Sequence, residues 1–547
     1  MAERATPATK RAREADTENA HDELADWLAS PACNMRAEEV ALTLPLLRDY
    51  GAELSSDLQY LSSALVTKLK PKLKPVAFEK LRAGMAALGS RIAPDHPQPA
   101  APAATAGATA LPTVAQCLRT ADFKKLVGIM RAHGARADVQ GAACMAVHTL
   151  CFENADNQAK AGGAGAVEAV VAALRAHGAN LAVQEQGCAA LVNLCANDDN
   201  NKAKAGAAGA IEAVVAAMRA HGANAAVQEQ CCWALRILCA GNADNKTKAG
   251  GAGAIEAVAA ALRAHGTSAG VQESGCAALL NICLNDAGSK VKAGVAGATE
   301  AVVAALRGHG ANAGVQEKGF AALFSICADN ADNRVKAAGA GAIEAAVAAM
   351  RAHGANARVQ QSGCWALRNI CCDSSTNKEK AGGAGAIEAV VAALRAHGAD
   401  AGVQKEGCWA LRFICADTAD NKAKAGSAGA IEAVVAALHA HSASAGVQGN
   451  GCAAVATLCN DNPDNQAKAG AAGAIEAVVA AMCAHAANAA LQEQGCWALH
   501  NLCWTHASNR ARARAAGAVA AVNAAREAFK EGAVAVRAKA ALERINA

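Results

Sequence analysis

The chain has 547 residues, a formal charge of +4 at pH 7, and 53% hydrophobic residues with only 3% aromatics. Its core must be built from Ala, Val, Leu and Cys, which bury little area each, so stability requires many elements in contact. The mild basicity compels neither a nucleic-acid nor a membrane partner. Apolar windows such as Gly209 to Arg219 carry charges, here Glu212 and Arg219, so no membrane span is expected.

Residues 1–20 are polar and read as a disordered tail. Within them Lys10-Arg11-Ala12-Arg13 reads either as a nuclear localisation signal or as a solvated basic tail. No apolar secretory core follows, and position 2 is not Gly, so neither secretion nor myristoylation is signalled.

Residues 21–89 carry a helical, non-repetitive pattern. It includes an early Trp27-Leu28, then Asp57-Leu-Gln-Tyr-Leu, then a basic turn (Lys68, Lys70, Lys72, Lys74) before a longer helix from Val76 to Leu88. Those features resemble a sterile alpha motif domain, although Lys70-Pro71-Lys72 stands where that family places a Leu-Gly turn. The resemblance implies a homotypic or heterotypic interaction module, and hence self-association through the N-terminal domain. An unclassified small helical domain is the alternative. Residues 90–113 hold five of the chain's 11 prolines among many alanines and read as an extended linker. The next 434 residues contain one proline, Pro463, which marks the sharpest domain boundary.

From residue 111 to 547 the sequence repeats. Val139, Val183, Val227, Val271, Val315, Val359, Val403, Val447 and Leu491 succeed one another every 44 residues. A period between about 20 and 50 residues signals a stacked-repeat architecture. Each unit divides into three helices. The first opens after a polar residue such as Asp244, Asp332, Asp420 or Asp464. The second begins after Gly209 and its equivalents and stops at Gly222 and its equivalents, which suit a left-handed position. The third begins after Asn180, Asn224, Ser268, Asn312, Asn356, Asp400, Ser444 or Asn488. The first unit and a tenth, from Gly517 to Ile545, are irregular, as expected of caps on an open stack.

Asn201-Lys, Gly209-Ala-Ile-Glu-Ala-Val-Val, Val227-Gln-Glu and Trp233-Ala-Leu occur in the order of the armadillo repeat. The array resembles that family over about residues 111–547. The resemblance implies an all-α, right-handed α-α superhelix of about ten three-helix repeats that binds extended peptide segments of other proteins. In that family a Trp and an Asn four residues later line a concave groove of third helices. Here the Trp position is filled at Trp233, Trp365, Trp409 and Trp497, and the Asn position at Asn193, Asn281, Asn369 and Asn501. Only Trp365/Asn369 and Trp497/Asn501 are complete, because Ile237 and Phe413 interrupt the other two.

The columns add detail of their own. Three residues after each Trp stands Arg236, Arg368, Arg412 or His500, one helical turn away. That spacing predicts a same-helix cation–π pair that leaves guanidinium donors for a carboxylate or phosphate. Four residues before the Trp column runs an acidic row, Glu185, Glu229, Glu273, Glu317 and Glu493, interrupted by Gln361 and Lys405. The groove is therefore expected to be acidic along units two to five and basic at units six and seven.

Three columns read as structural. Of 22 cysteines, 17 fall in two columns such as Cys188/Cys195 and Cys408/Cys415. Equivalents in neighbouring units are expected about 10 Å apart, too far for disulfides, and no CxxC pair suggests zinc. They read as small buried hydrophobes of a reducing compartment, cytoplasmic or nuclear. Histidines from His133 to His485 cap second helices. The column Lys160, Lys204, Lys248, Lys292, Lys336, Lys380, Lys424, Lys468 and Arg512 reads as a solvated ridge, or alternatively as a track for a polyanion. No phosphate loop, nucleophile elbow or metalloprotease motif occurs. The leading expectation is a non-enzymatic protein-interaction scaffold needing no cofactor or metal. A nuclear-import adaptor similar to importin alpha, or a nucleic-acid binder using the ridge, are the alternatives.

Overall fold

The computed structural model describes residues 110–547, so the expectations for residues 1–109 lie outside the described residues. These residues form thirty helices, grouped as ten three-helix units in a right-handed superhelix. Unit one opens at Ala110–Thr120, so residues 110–113, read from sequence as the end of the linker, are helical. Pro112 sits in that helix's first turn, where a missing backbone N–H costs nothing.

The third helices are Ala137–Cys151, Leu181–Cys195, Ala225–Cys239, Ala269–Cys283, Ala313–Cys327, Ala357–Cys371, Ala401–Cys415, Ala445–Cys459, Ala489–Leu502 and Gly532–Asn546. Successive third helices pack side by side as one continuous layer. From unit two to unit nine each starts at the expected cap. Asn224, for example, accepts a hydrogen bond from the Val227 amide at 3.0 Å. First-helix caps lie two residues before the expected aspartates. Asn242 Oδ1 accepts from the Asn245 amide, and Asp244 falls in the first turn, where it complements the helix dipole.

The left-handed glycines are also not where sequence spacing put them. Gly209, with φ of 78°, joins the first helix to the second. Gly222 is not left-handed; His221 caps the second helix with φ of −118°.

Polar ties run between the small-residue units. Asn421 donates to Lys378 O in the first helix of the preceding unit and to Ile414 O in that unit's third helix, both at 2.8 Å. A Cβ on Gly382 would overlap Asn421 Oδ1, so that glycine is required by close approach. Equivalent asparagines do the same at 201, 245, 333, 377, 465 and 509. A buried Gln in the third helix of each of units one to nine, such as Gln404, which donates to Leu394 O and His397 O, satisfies the end of the second helix. Each such bond contributes about 1 kcal/mol net, but a buried amide left without it costs about 1–3 kcal/mol. The ladders therefore fix register where Ala packing alone would not.

Both cysteine columns are buried, and the described cysteines are free. Burial pushes the thiols of Cys408 and Cys452 up to about 12. Cys231, one residue outside its column, places its sulfur 3.5 Å from that of Cys188, closer than the column spacing allows. No single described helix is long and apolar enough to cross a membrane. One pair, Pro463–Ala471 with Ala474–Ala484, has the length and composition only when taken together, and it is bent by 72°.

Candidate functional site

The exposed face of the third-helix layer is defined by alternation within each helix. In unit six Arg358, Gln361, Trp365, Arg368 and Asn369 are exposed or half-buried, while Val359, Gln360, Cys364, Leu367 and Cys371 are buried. The accessible residues recur at three- and four-residue steps, so they form one stripe along the helix. All sequence-predicted site residues occupy equivalent positions of this stripe, although Asn193 and Asn501 are buried there.

The stripes of units five to seven interlock. Phe324 stacks on Trp365 with ring centroids 5.0 Å apart. The Arg368 guanidinium lies 5.3 Å from the Phe324 centroid and 3.9 Å from that of Trp409. Its Nη1 donates to Glu406 Oε2 at 3.0 Å, and Lys405 Nζ stands 3.4 Å from the other carboxylate oxygen. Glu406 is almost fully buried, so this pair is shielded from water. Trp409 then meets Phe413 at 6.4 Å.

The expected same-helix Trp–Arg pair is therefore corrected. Arg368 stacks on the Trp of the following unit, because Glu406 draws it across the junction, and its donors are partly engaged there. Arg412 lies 5.7 Å from the Phe413 centroid rather than over Trp409. Trp497 receives Arg537 of unit ten at 5.1 Å, and His500 meets Trp504 edge-on at 5.1 Å. Trp233, 40% exposed, has no stacked cation among the described residues, and Arg236 is half-buried in the same stripe.

The asparagines also differ from expectation. Asn193, Asn281, Asn369 and Asn501 each donate to a carbonyl of the preceding third helix, at His148, Arg236, Phe324 and Ala456 respectively. They tie units together before they can clamp a ligand.

The acidic row lies where the sequence placed it, with altered balance. Glu185, Glu229, Glu273, Glu317 and Glu493 are half-buried. Burial pushes the Glu229 carboxyl above its ordinary value, and neighbouring Glu273 adds to the rise. The Glu229 and Glu273 side chains lie against Gly270 and Gly314, in the first turn of the next third helix, where the dipole favours an anion. Glu317 pairs with Lys318 at 2.7 Å, and Glu406 offsets Arg368. The acidic stretch thus centres on Glu185, Glu229 and Glu273, and the positive character of units six and seven falls to Lys405, Arg412 and the exposed Arg358.

The basic ridge is not a free track. Lys204 donates to Gly162 O at 2.8 Å, Lys248 to Gly206 O at 2.7 Å and Lys424 to Gly382 O at 3.1 Å, each in the preceding unit. Lys292, Lys336, Lys380, Lys468 and Arg512 make the same tie. The histidines do more than cap. His397 Nε2 donates to Gly354 O of the preceding unit at 2.8 Å, and His177, His221, His265, His309, His353, His441 and His485 repeat the bond. Among the described residues no group of three or more His, Cys, Asp or Glu side chains could hold a metal ion.

A family described as the LRRK2 ARM repeat matches residues 152–341. The array has an armadillo-type solenoid fold. Its fold is similar to that of an engineered protein of known crystal structure, with TM-score 0.68 and 23% identity over 78% of this chain and 99% of that one. It is also similar to a chain from a structure concerning a phosphorylation switch in the interaction between cadherin and beta-catenin. There the TM-score is 0.51, with 15% identity over 81% of this chain and 98% of that one. No curated protein matches the chain.

Three contributors to this armadillo face escaped the sequence reading. Phe324 and Phe413 were visible only as departures from the Trp–Arg and Trp–Asn patterns. Glu406 carried a clearer signal. Its column reads Gln186, Gln230, Ser274, Lys318, Ser362, Glu406, Asn450, Gln494, so Glu406 is the single acid from unit two to unit nine.

Proposed function

We propose that the array is a non-enzymatic scaffold that holds an extended segment of another protein along the exposed face of its third helices. The observation that carries this reading is the open end of that face. Met145 and Trp233 are 49% and 40% exposed at equivalent positions of units one and three, separated by Ala189 of unit two. Large apolar side chains left in water on one face, with a small residue between them, make the wall–floor–wall profile that a partner side chain fills. Glu185 and Glu229 flank this slot and favour a partner residue with an aliphatic stem and a cationic head. A partner segment with a basic block over units one to four, and an acidic group beyond, matches the distribution of charge.

Binding of a basic segment is also the chemistry of an import adaptor, and the acidic row is the feature that favours that second reading. A polyanion partner has less support, because the ridge lysines are engaged with carbonyls. The cytoplasm or nucleus is the compartment that suits these free cysteines.

The test is selection from a displayed library of random dodecapeptides against the folded chain. Enrichment of sequences with clustered Lys or Arg, lost in Trp233→Ala, supports the reading. Absence of any enriched sequence, or enrichment indifferent to Trp233→Ala and to Glu185→Gln/Glu229→Gln, would sink it.

A further inference from the structure

Arg368 and Arg412 occupy the same position in consecutive units, yet the Glu406 and Trp409 that Arg368 meets are replaced, one unit on, by Asn450 and Ala453. Arg368 reaches an acid 38 positions later, Glu406, in the next unit. The residue 38 positions after Arg412 is Asn450, whose Nδ2 donates instead to Lys405 O at 3.3 Å. Among the described residues the Arg412 side chain makes no hydrogen bond or ion pair, although it is half-buried. Burial depresses its basicity, with Glu493 of unit nine acting in the opposite direction. A guanidinium partly removed from water with its five N–H donors unmatched is held at a cost that an acceptor would remove. One turn earlier, Trp409 holds its indole N–H buried without an acceptor. Lys405, a further turn back on the same stripe, has a side chain 45% exposed.

We infer that Arg412 is an oxyanion receptor: the carboxylate missing at Asn450 is supplied in trans by a carboxylate or phosphate group on the segment bound to the third-helix face. This rests on the scaffold reading above and makes it more specific. The receptor lies beyond the filled junction of units five to seven. Unit eight carries the small residues Gly449, Ala453 and Ala456 where its neighbours carry long side chains; the two alanines are fully buried, and Gly449 is the half-buried member. Arg suits this task because its planar fork donates to two oxygens of a carboxylate or phosphate at once. Glu493 opposes an incoming anion, and because that repulsion grows with the anion's charge it weighs more on a phosphate than on a carboxylate.

The experiment uses the full chain labelled with 15N-arginine, following the Nε–H resonance of Arg412, assigned by its loss in Arg412→Lys. The probes are N-acetyl-phosphoserine amide and N-acetyl-glutamate amide, titrated separately. The expected result is a saturable shift of Arg412 with at least one probe and none of Arg368, whose acceptor is internal. A response to phosphoserine alone identifies a phosphorylated partner; a response to glutamate identifies an acidic one. Asn450→Glu, verified as folded by circular dichroism, should abolish the shift by supplying the acid internally. Glu493→Gln should lower the half-saturating concentration several-fold. No saturable shift with either probe, an equal shift of Arg368, or a shift that survives Asn450→Glu would overturn the proposal. The probes carry no peptide sequence, so failure here alongside a successful peptide selection removes the receptor and leaves the scaffold.

Discussion

The junction between units six and seven and the junction between units seven and eight are built from the same columns and reach opposite states. In the first, Arg368 is stacked on Trp409 and paired with Glu406, and the exposed face is filled by protein. In the second, Asn450 replaces the acid, and Arg412 makes no hydrogen bond or ion pair among the described residues. A periodic sequence thus holds two uses of one arginine column, one structural and one free to bind. Repetition fixes where a side chain stands, and its neighbours in the next unit decide what it does.

The largest expected effect does not discriminate the two junctions. Cys408 and Cys452 lie one at each, both with thiols near 12 because burial disfavours the thiolate, against an ordinary value of 9.0. The folded state keeps these protons after the unfolded chain has begun to lose them. Stability is therefore intact below about pH 9 and falls as pH rises toward 12, by about 2 kcal/mol per thiol near pH 10.5. Urea titrations followed by circular dichroism from pH 8 to about pH 10.5 should show a steep, array-wide decline, and a flat profile would contradict the burial of the columns.

The next effect separates the junctions. Glu406→Ala leaves Arg368 buried and uncompensated and should destabilise by about 3–5 kcal/mol, read as a lower urea midpoint. Replacing both partners, Arg368→Met with Glu406→Leu, should recover most of that loss. Asn450→Glu should act in the opposite direction, stabilising by about 1–2 kcal/mol through a charge-assisted hydrogen bond. If it destabilises, the two junctions are less alike than their columns suggest. The smallest stability effect is expected at Trp233. Trp233→Ala should change stability by under about 1 kcal/mol, since the ring is 40% exposed, while weakening a bound peptide about tenfold or more.

The architecture was legible because it is written locally. The 44-residue period, the caps from Asn180 to Asn488 and the buried cysteine columns all follow from spacing along one helix or one unit. The site was less legible because its contacts cross units. Arg368 meets Trp409, 41 positions on, rather than Trp365, three positions back, and no one-dimensional spacing ranks those two. Asn369 looked like a ligand clamp from its position but donates to Phe324 O, and Lys424 looked solvated but donates to Gly382 O. The left-handed turn fell at Gly209 rather than Gly222, since both are flanked by helix and only backbone geometry tells them apart. Glu406 was overlooked although a signal existed, since it is the one acid in its column from unit two to unit nine.

The most direct test of the central claim is a paired selection. The same dodecapeptide library would be displayed against the wild-type chain and against Asn450→Glu, both verified as folded. The account predicts that basic residues are enriched equally in both, while an acidic residue at a fixed distance from the basic block is enriched only by the wild type. The same acidic residue recovered from both selections, or from neither, would contradict it.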